Sequence, residues 1–179
     1  MFRFVELRAF CHATEDEERV AKSIATLSPG AAIARETFEG RHGNPLALLV
    51  ARIESPTEIT DFWRRCRDAG VLRAILEDLP RRIDAEGILH FRFDKQQAYL
   101  GRLNLARHDD VVVGRAKITA YPARKPELIR AARDALAAGQ PVHAAPRPAQ
   151  PTAARPPHPD HLTQPAALLI IKGYRQRCW

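Results

Sequence analysis

The sequence predicts an α+β fold, a mainly antiparallel sheet with helices packed on one face. Three observations carry this. Several segments alternate apolar and polar residues with period two, and one pair of them is joined by a turn-rich connection, "GRHGNP". Between the strands lie segments whose apolar residues recur at helical spacing behind clear start signals. Strands and helices do not alternate in the regular way that parallel crossovers require.

The first strand covers residues 2–10 in "MFRFVELRAF". A helix over 15–27 follows, with Thr14 as N-cap, Glu17 completing a capping box, and Val20, Ile24 and Leu27 as its buried stripe. "AIARETFE" and "LALLVARIE" are the two strands of an antiparallel hairpin. In "SPTE", Ser55 takes the N-cap, Pro56 the first helical position and Glu58 the capping-box position. Ile59, Phe62, Trp63 and Cys66 then line one helical face, and Gly70 ends the helix. A second helix repeats the spacing with Leu72, Ile75, Leu76 and Leu79 and stops near Pro80. "GILHFRFD" and "DVVVGRAKITAY" supply the last two strands, and residues 126–138 a closing helix.

That domain, 1–139, is followed by a different kind of sequence. Eight prolines fall within residues 141–165, so 140–165 is expected to be a semi-extended, disordered linker. Residues 166–179, "AALLIIKGYRQRCW", form a short apolar and basic peptide. The division matters for charge. Five Arg/Lys against Asp160 alone in residues 140–179 supply +4 of the net +7, leaving +3 for residues 1–139. The total charge is therefore no nucleic-acid footprint of the domain, and only the placement of its charges could make one.

At 45% hydrophobic and 27% charged residues, the composition is that of a soluble globular protein with enough apolar material for a core. No run approaches a membrane span and no cleavable leader is expected. Cys11, Cys66 and Cys178 are widely spaced, which fits a reducing compartment better than a disulfide framework.

Period two places Glu6, Arg8, Arg35, Arg52, His90, Arg92, Arg115 and Lys117 opposite the core. Such a face could track a phosphate backbone, with Phe4, Phe10 or Tyr99 for stacking. It could equally be an ordinary solvated face whose charges pair off with Glu6, Glu36 and Glu54. No enzyme signature emerges. Cys11 and His12 point to opposite faces of a strand, the histidines lack ligand spacing, and the acids of "TEDEE" suit a helix's first turn. Neither a metal nor a cofactor is expected.

Three motifs, "ATEDEERV", "EGRHGNP" and "FRFDKQQAYLG", occur in order within residues 2–138. Together they resemble the archaeal family described as predicted exosome subunits or RNA-binding proteins, similar in fold to the large-subunit ribosomal protein that docks five-S ribosomal RNA. The resemblance implies a non-catalytic RNA-binding protein of RNA processing or degradation in an archaeal cytoplasm, with exosome- or ribosome-related proteins as further partners. The Pro-rich extension departs from the family pattern. On this reading Arg92, Lys95, Gln96 and Gln97 form a polar patch at a strand end. The cations would neutralise phosphates and the glutamines read base edges or 2′-hydroxyls. His42 and Asn44 form a second patch. Two plainer readings stay open: "DKQQ" as a strand exit capped by Asp94, and "HGNP" as a tight turn. The competing function is a protein–protein adaptor that docks through its sheet face and C-terminal peptide.

Overall fold

A computed structural model describes residues 2–40 and 45–138. Contacts divide the chain into a unit of Met1–His143 and a unit of Ala144–Trp179. The expected linker and C-terminal peptide lie outside the described residues, as do His42 and Asn44.

The elements follow the order β1 (Phe2–Cys11), α1 (Glu17–Leu27), β2 (Ile33–Glu39), β3 (Pro45–Ile53), α2 (Pro56–Asp68), α3 (Val71–Glu77), α4 (Leu79–Arg82), β4 (Ile88–Asp94), α5 (Lys95–Tyr99), β5 (Val111–Ile118) and α6 (Lys125–Ala137). The strands form one five-stranded sheet in the order β2-β3-β1-β5-β4, and every neighbouring pair is antiparallel. The expected α+β class is what the chain adopts.

Register explains the core. Val5, Leu7 and Ala9 on the central strand face the same way as Ile53, Ala51 and Leu49 on β3 and as Ala116, Gly114 and Val112 on β5. Leu89, Phe91 and Phe93 of β4 extend these rows. Ile24 of α1, Phe62 and Trp63 of α2, and Leu128 and Leu136 of α6 cover this face in one continuous cluster. The ring of Phe91 lies directly over Gly114, where an added Cβ would sit 1.8 Å from a ring carbon. Glycine is required there by close approach, since its φ is ordinary.

Several local expectations are corrected. Helix α1 is capped by Asp16, not Thr14: Asp16 Oδ1 accepts from the Glu18 and Arg19 N–H groups at 2.9 and 3.3 Å. Glu15 is drawn out of the helix because its carboxylate pairs with Lys95 and accepts from the His12 N–H. Ser55 is the N-cap of α2 without a side-chain capping bond, so the expected box does not close. The second helix ends at Glu77, near Pro80 as expected, but Leu79 and Pro80 open a further short helix, α4, in whose first turn a missing N–H costs nothing. Leu100, which a simple strand exit would return to the core, is exposed.

Arg35 moves faces. It pairs in register with Leu49, a core-facing position, and its Nε bonds Glu17 Oε1 of α1 at 2.7 Å. Period two puts Arg35 on the face of Ile33, which packs against the core, so its charge and not its spacing suggested the open face; on this edge strand a cation on that side reaches past the core to α1. At the opposite edge, Ile83 and Leu105 bridge to β4 through Leu89 and Phe93.

Candidate nucleic-acid interface

The sheet face without helices is ordered by the same register. One row runs Arg52, Glu6, Arg115 and His90 across β3, β1, β5 and β4. The next runs Val50, Arg8, Val113 and Arg92. Adjacent strands lie about 4.8 Å apart, so the four strands hold these side chains within a band about 14 Å wide.

Glu6 is the centre of the band. It is only 5% exposed, although it projects from the open face. Its carboxylate meets Arg8 Nε at 2.7 Å, Arg52 Nη1 at 3.5 Å and Arg115 Nη1 at 3.5 Å. The Arg8 contact is an ion pair without hydrogen-bond alignment. Three guanidiniums around one carboxylate leave an excess of positive charge. The arginine side chains keep 35–47% of their surface open to water. A shared anion thus holds the cations together without using all their donors. Arg52 also bonds Glu54 Oε1 at 2.8 Å and lies 4.0 Å over the Phe4 ring, a cation–π contact.

The remaining expected residues divide. Arg92 is exposed and has no ion-pair partner among the described residues. Lys117 is half-buried and donates its Nζ hydrogen to the Glu86 carbonyl. Beside the charged band the same face turns apolar. Phe10 faces Leu48 and Phe38 faces Leu46 in register, and both phenylalanines are about half exposed.

The "DKQQ" stretch follows the plainer of its two readings in being capped by Asp94, and departs from both readings in burying Lys95. Asp94 caps α5, with Oδ1 accepting from the Gln97 N–H at 2.8 Å. Lys95 turns inward and is 4% exposed. Its Nζ lies 2.6 Å from both Glu15 Oε1 and Asp110 Oδ1 and donates to the Phe10 carbonyl at 3.2 Å. Burial alone would lower its pKa, but the two carboxylates more than reverse this and hold it above the ordinary value. Burial pushes the Asp110 carboxyl up, and Lys95 and Gln96 outweigh that, so it sits below the usual range. Lys95 therefore ties α5 to the loop before α1 and has no ammonium to offer a phosphate. Gln96 is exposed but donates to Asp110 Oδ2 at 2.9 Å, and Gln97 is half-buried. Because α5 packs on α1, these glutamines are not gathered with the arginines of the strand rows.

Sequence reasoning passed over two cations, Arg81 and Arg82 on α4, at the outer edge of β4. Their helical position gave no cue, because only the pairing of β4 at the sheet's edge brings α4 beside Arg92. Among the described residues no group of three or more His, Cys, Asp or Glu is placed to hold a metal ion. None of the described helices is long and apolar enough to cross a membrane.

Known proteins share this architecture. The chain is 32% identical over 143 residues to the RNA-binding protein PAB1135 of Pyrococcus abyssi, an alignment spanning 74% of this chain and 92% of that one. It superposes on the crystal structure of AF2318 from Archaeoglobus fulgidus, a DUF54 protein, with a TM-score of 0.69 and 33% identity, over 75% of this chain and 99% of the other. The DUF54 protein Mth689 of Methanothermobacter thermautotrophicus gives 0.67 and 32%, over 76% and 98%. A family model described as RNA binding matches residues 4–118, the stretch that contains Arg8, Arg52, Arg92 and Arg115. The chain belongs to this archaeal RNA-binding family, DUF54.

Proposed function

We propose that the protein binds RNA on the open sheet face, with Arg8, Arg52, Arg92 and Arg115 holding phosphates, and that it does so without catalysing a reaction. The observation that carries this is the arginine cluster. Three guanidiniums converge on one buried carboxylate on a solvent-facing surface, and a fourth stands beside them without a partner. A merely solvated face needs no such excess of one sign. Phe10 and Phe38 give bases flat apolar surfaces beside the phosphate contacts, which favours single strands. A role in archaeal RNA processing or degradation, in the cytoplasm and next to exosome- or ribosome-related proteins, extends the reading. Its support is the motif resemblance, which also suggests the ribosomal-protein-like fold.

The test is anisotropy titration of labelled single- and double-stranded RNA with the full chain at several salt concentrations. Each phosphate contact adds about 0.7 to the slope of log K against log salt for a single strand. Arg92→Ala leaves no acid unpaired, so it should weaken binding several-fold and lower the slope by about that amount. Salt-independent association with a protein partner, and none with RNA, would instead favour the adaptor reading, for which the exposed Phe10 and Phe38 are the natural contacts.

A further inference from the structure

At the outer edge of β4 a cleft of about 240 Å³ opens between α4 and the strand. It is lined by Arg81 and Arg82 of α4, by His90, Phe91 and Arg92 of β4, and by Leu105 and Ala106. We propose that this cleft is a phosphate-binding subsite that continues the arginine band past the edge of the sheet. The proposal rests on the RNA reading and adds to it a site and a direction, across the strands from β3 to α4.

The donors are in place and largely unspent. Arg82 Nε is buried with no hydrogen-bond partner among the described residues, a cost that an incoming oxygen would relieve. Asp78 forms an ion pair with each of the α4 arginines, but at 3.8 Å it is beyond hydrogen-bond reach of both and leaves their donors open. Asp84 is occupied elsewhere, accepting from the Ile88 N–H and facing His90 Nε2, each at 2.7 Å. Arg92 has no ion-pair partner among the described residues. The three guanidiniums thus have one carboxylate among them, Asp78, which hydrogen-bonds none of them.

Position strengthens the case. His90 pairs in register with Arg115, which touches Glu6, so the cleft joins the arginine band directly. From β3 to β4 the band spans about 14 Å. At about 3.4 Å per stacked nucleotide, that accommodates roughly four nucleotides before the chain reaches α4. The shared chemistry is a phosphate oxyanion, either an internal phosphodiester or a 5′-terminal phosphate.

The experiment compares the full chain with Arg81→Gln, Arg82→Gln, Arg82→Lys and Arg52→Gln, each shown folded by thermal melting. Binding is measured on single-stranded RNA ten-mers bearing a 5′-phosphate or a 5′-hydroxyl, across a salt series. The glutamine variants should each weaken binding roughly 3- to 10-fold and lower the salt slope by about 0.7, with Arg82→Lys recovering the slope. Equal loss on both RNAs assigns the cleft to a backbone phosphate. Loss confined to the 5′-phosphorylated RNA assigns it to the terminus. If Arg82→Gln does not fold, the exposed Arg81→Gln carries the test alone. Binding that is unchanged in these variants but weakened in Arg52→Gln overturns the subsite and leaves the sheet-face reading standing. Failure of the parent chain to bind either RNA overturns both.

Discussion

Glu6→Gln should move stability and RNA affinity in opposite directions. The substitution keeps the side chain's shape and removes one negative charge from the middle of three arginines. At an effective dielectric of about 20, the 2.7 Å contact with Arg8 is worth about 6 kcal/mol and each 3.5 Å contact about 5 kcal/mol. Most of this is offset by the several kcal/mol spent stripping water from the carboxylate and by repulsion among the guanidiniums. Those groups are partly exposed and can turn to solvent, so a net loss of about 2–4 kcal/mol is expected. For a folded unit of this size that lowers Tm by roughly 10 °C. Toward RNA the sign reverses. A carboxylate about 6 Å from a bound phosphate, at a near-aqueous dielectric of about 60, repels it by about 1 kcal/mol. Removing it should tighten binding about five-fold. The assays are chemical denaturation and RNA anisotropy at matched salt. A folded Glu6→Gln protein with unchanged stability would show that the cluster does not hold the face together. Weaker RNA binding by a folded variant would refute the claim that these arginines meet phosphates.

Lys95→Ala should destabilise by about 2–3 kcal/mol, because it strands Glu15 and Asp110, yet leave RNA affinity of the folded fraction unchanged. Denaturation with binding measured in parallel separates these effects, and a large loss of affinity would return Lys95 to the interface. Gly114→Ala puts a methyl into the Phe91 ring and should cost about 2–3 kcal/mol in a urea melt. Stability should also show a plateau in pH. The Asp94 and Asp110 carboxyls sit below their ordinary 3.8, so their contribution is present above that value and lost as pH falls through the lowered pKa. Lys95 sits above its ordinary 10.5, so its contribution holds below that value and is lost as pH rises through the raised pKa. A Lys95→Ala protein should therefore lose part of both slopes in a Tm-against-pH profile, and identical profiles would contradict the ion-pair assignment.

The amino-acid sequence by itself determined the α+β class, the helical stripes such as Ile59-Phe62-Trp63-Cys66, and the period-two assignment that places Arg8, Arg52, Arg92 and Arg115 away from the core. These are local properties, set by the repeat of a strand or helix and by burial of apolar surface. Wherever several residues competed for one job, chain pattern was silent. Thr14 reads in the chain as the cap of α1, and the role fell to Asp16 once Glu15 was claimed by Lys95. Lys95 reads in the chain as a solvated cation. Carboxylates contributed by residues 15 and 110, far from it in sequence, make burying it favourable. Arg35 read as outward-facing until its pairing with Leu49 turned it toward Glu17. Only the tertiary structure could gather Arg8, Arg52 and Arg115 onto Glu6 and set α4 beside Arg92, because the order of strands in the sheet decides which distant charges become neighbours. Electrostatic energy depends on separation in space, and the sequence records only separation along the chain.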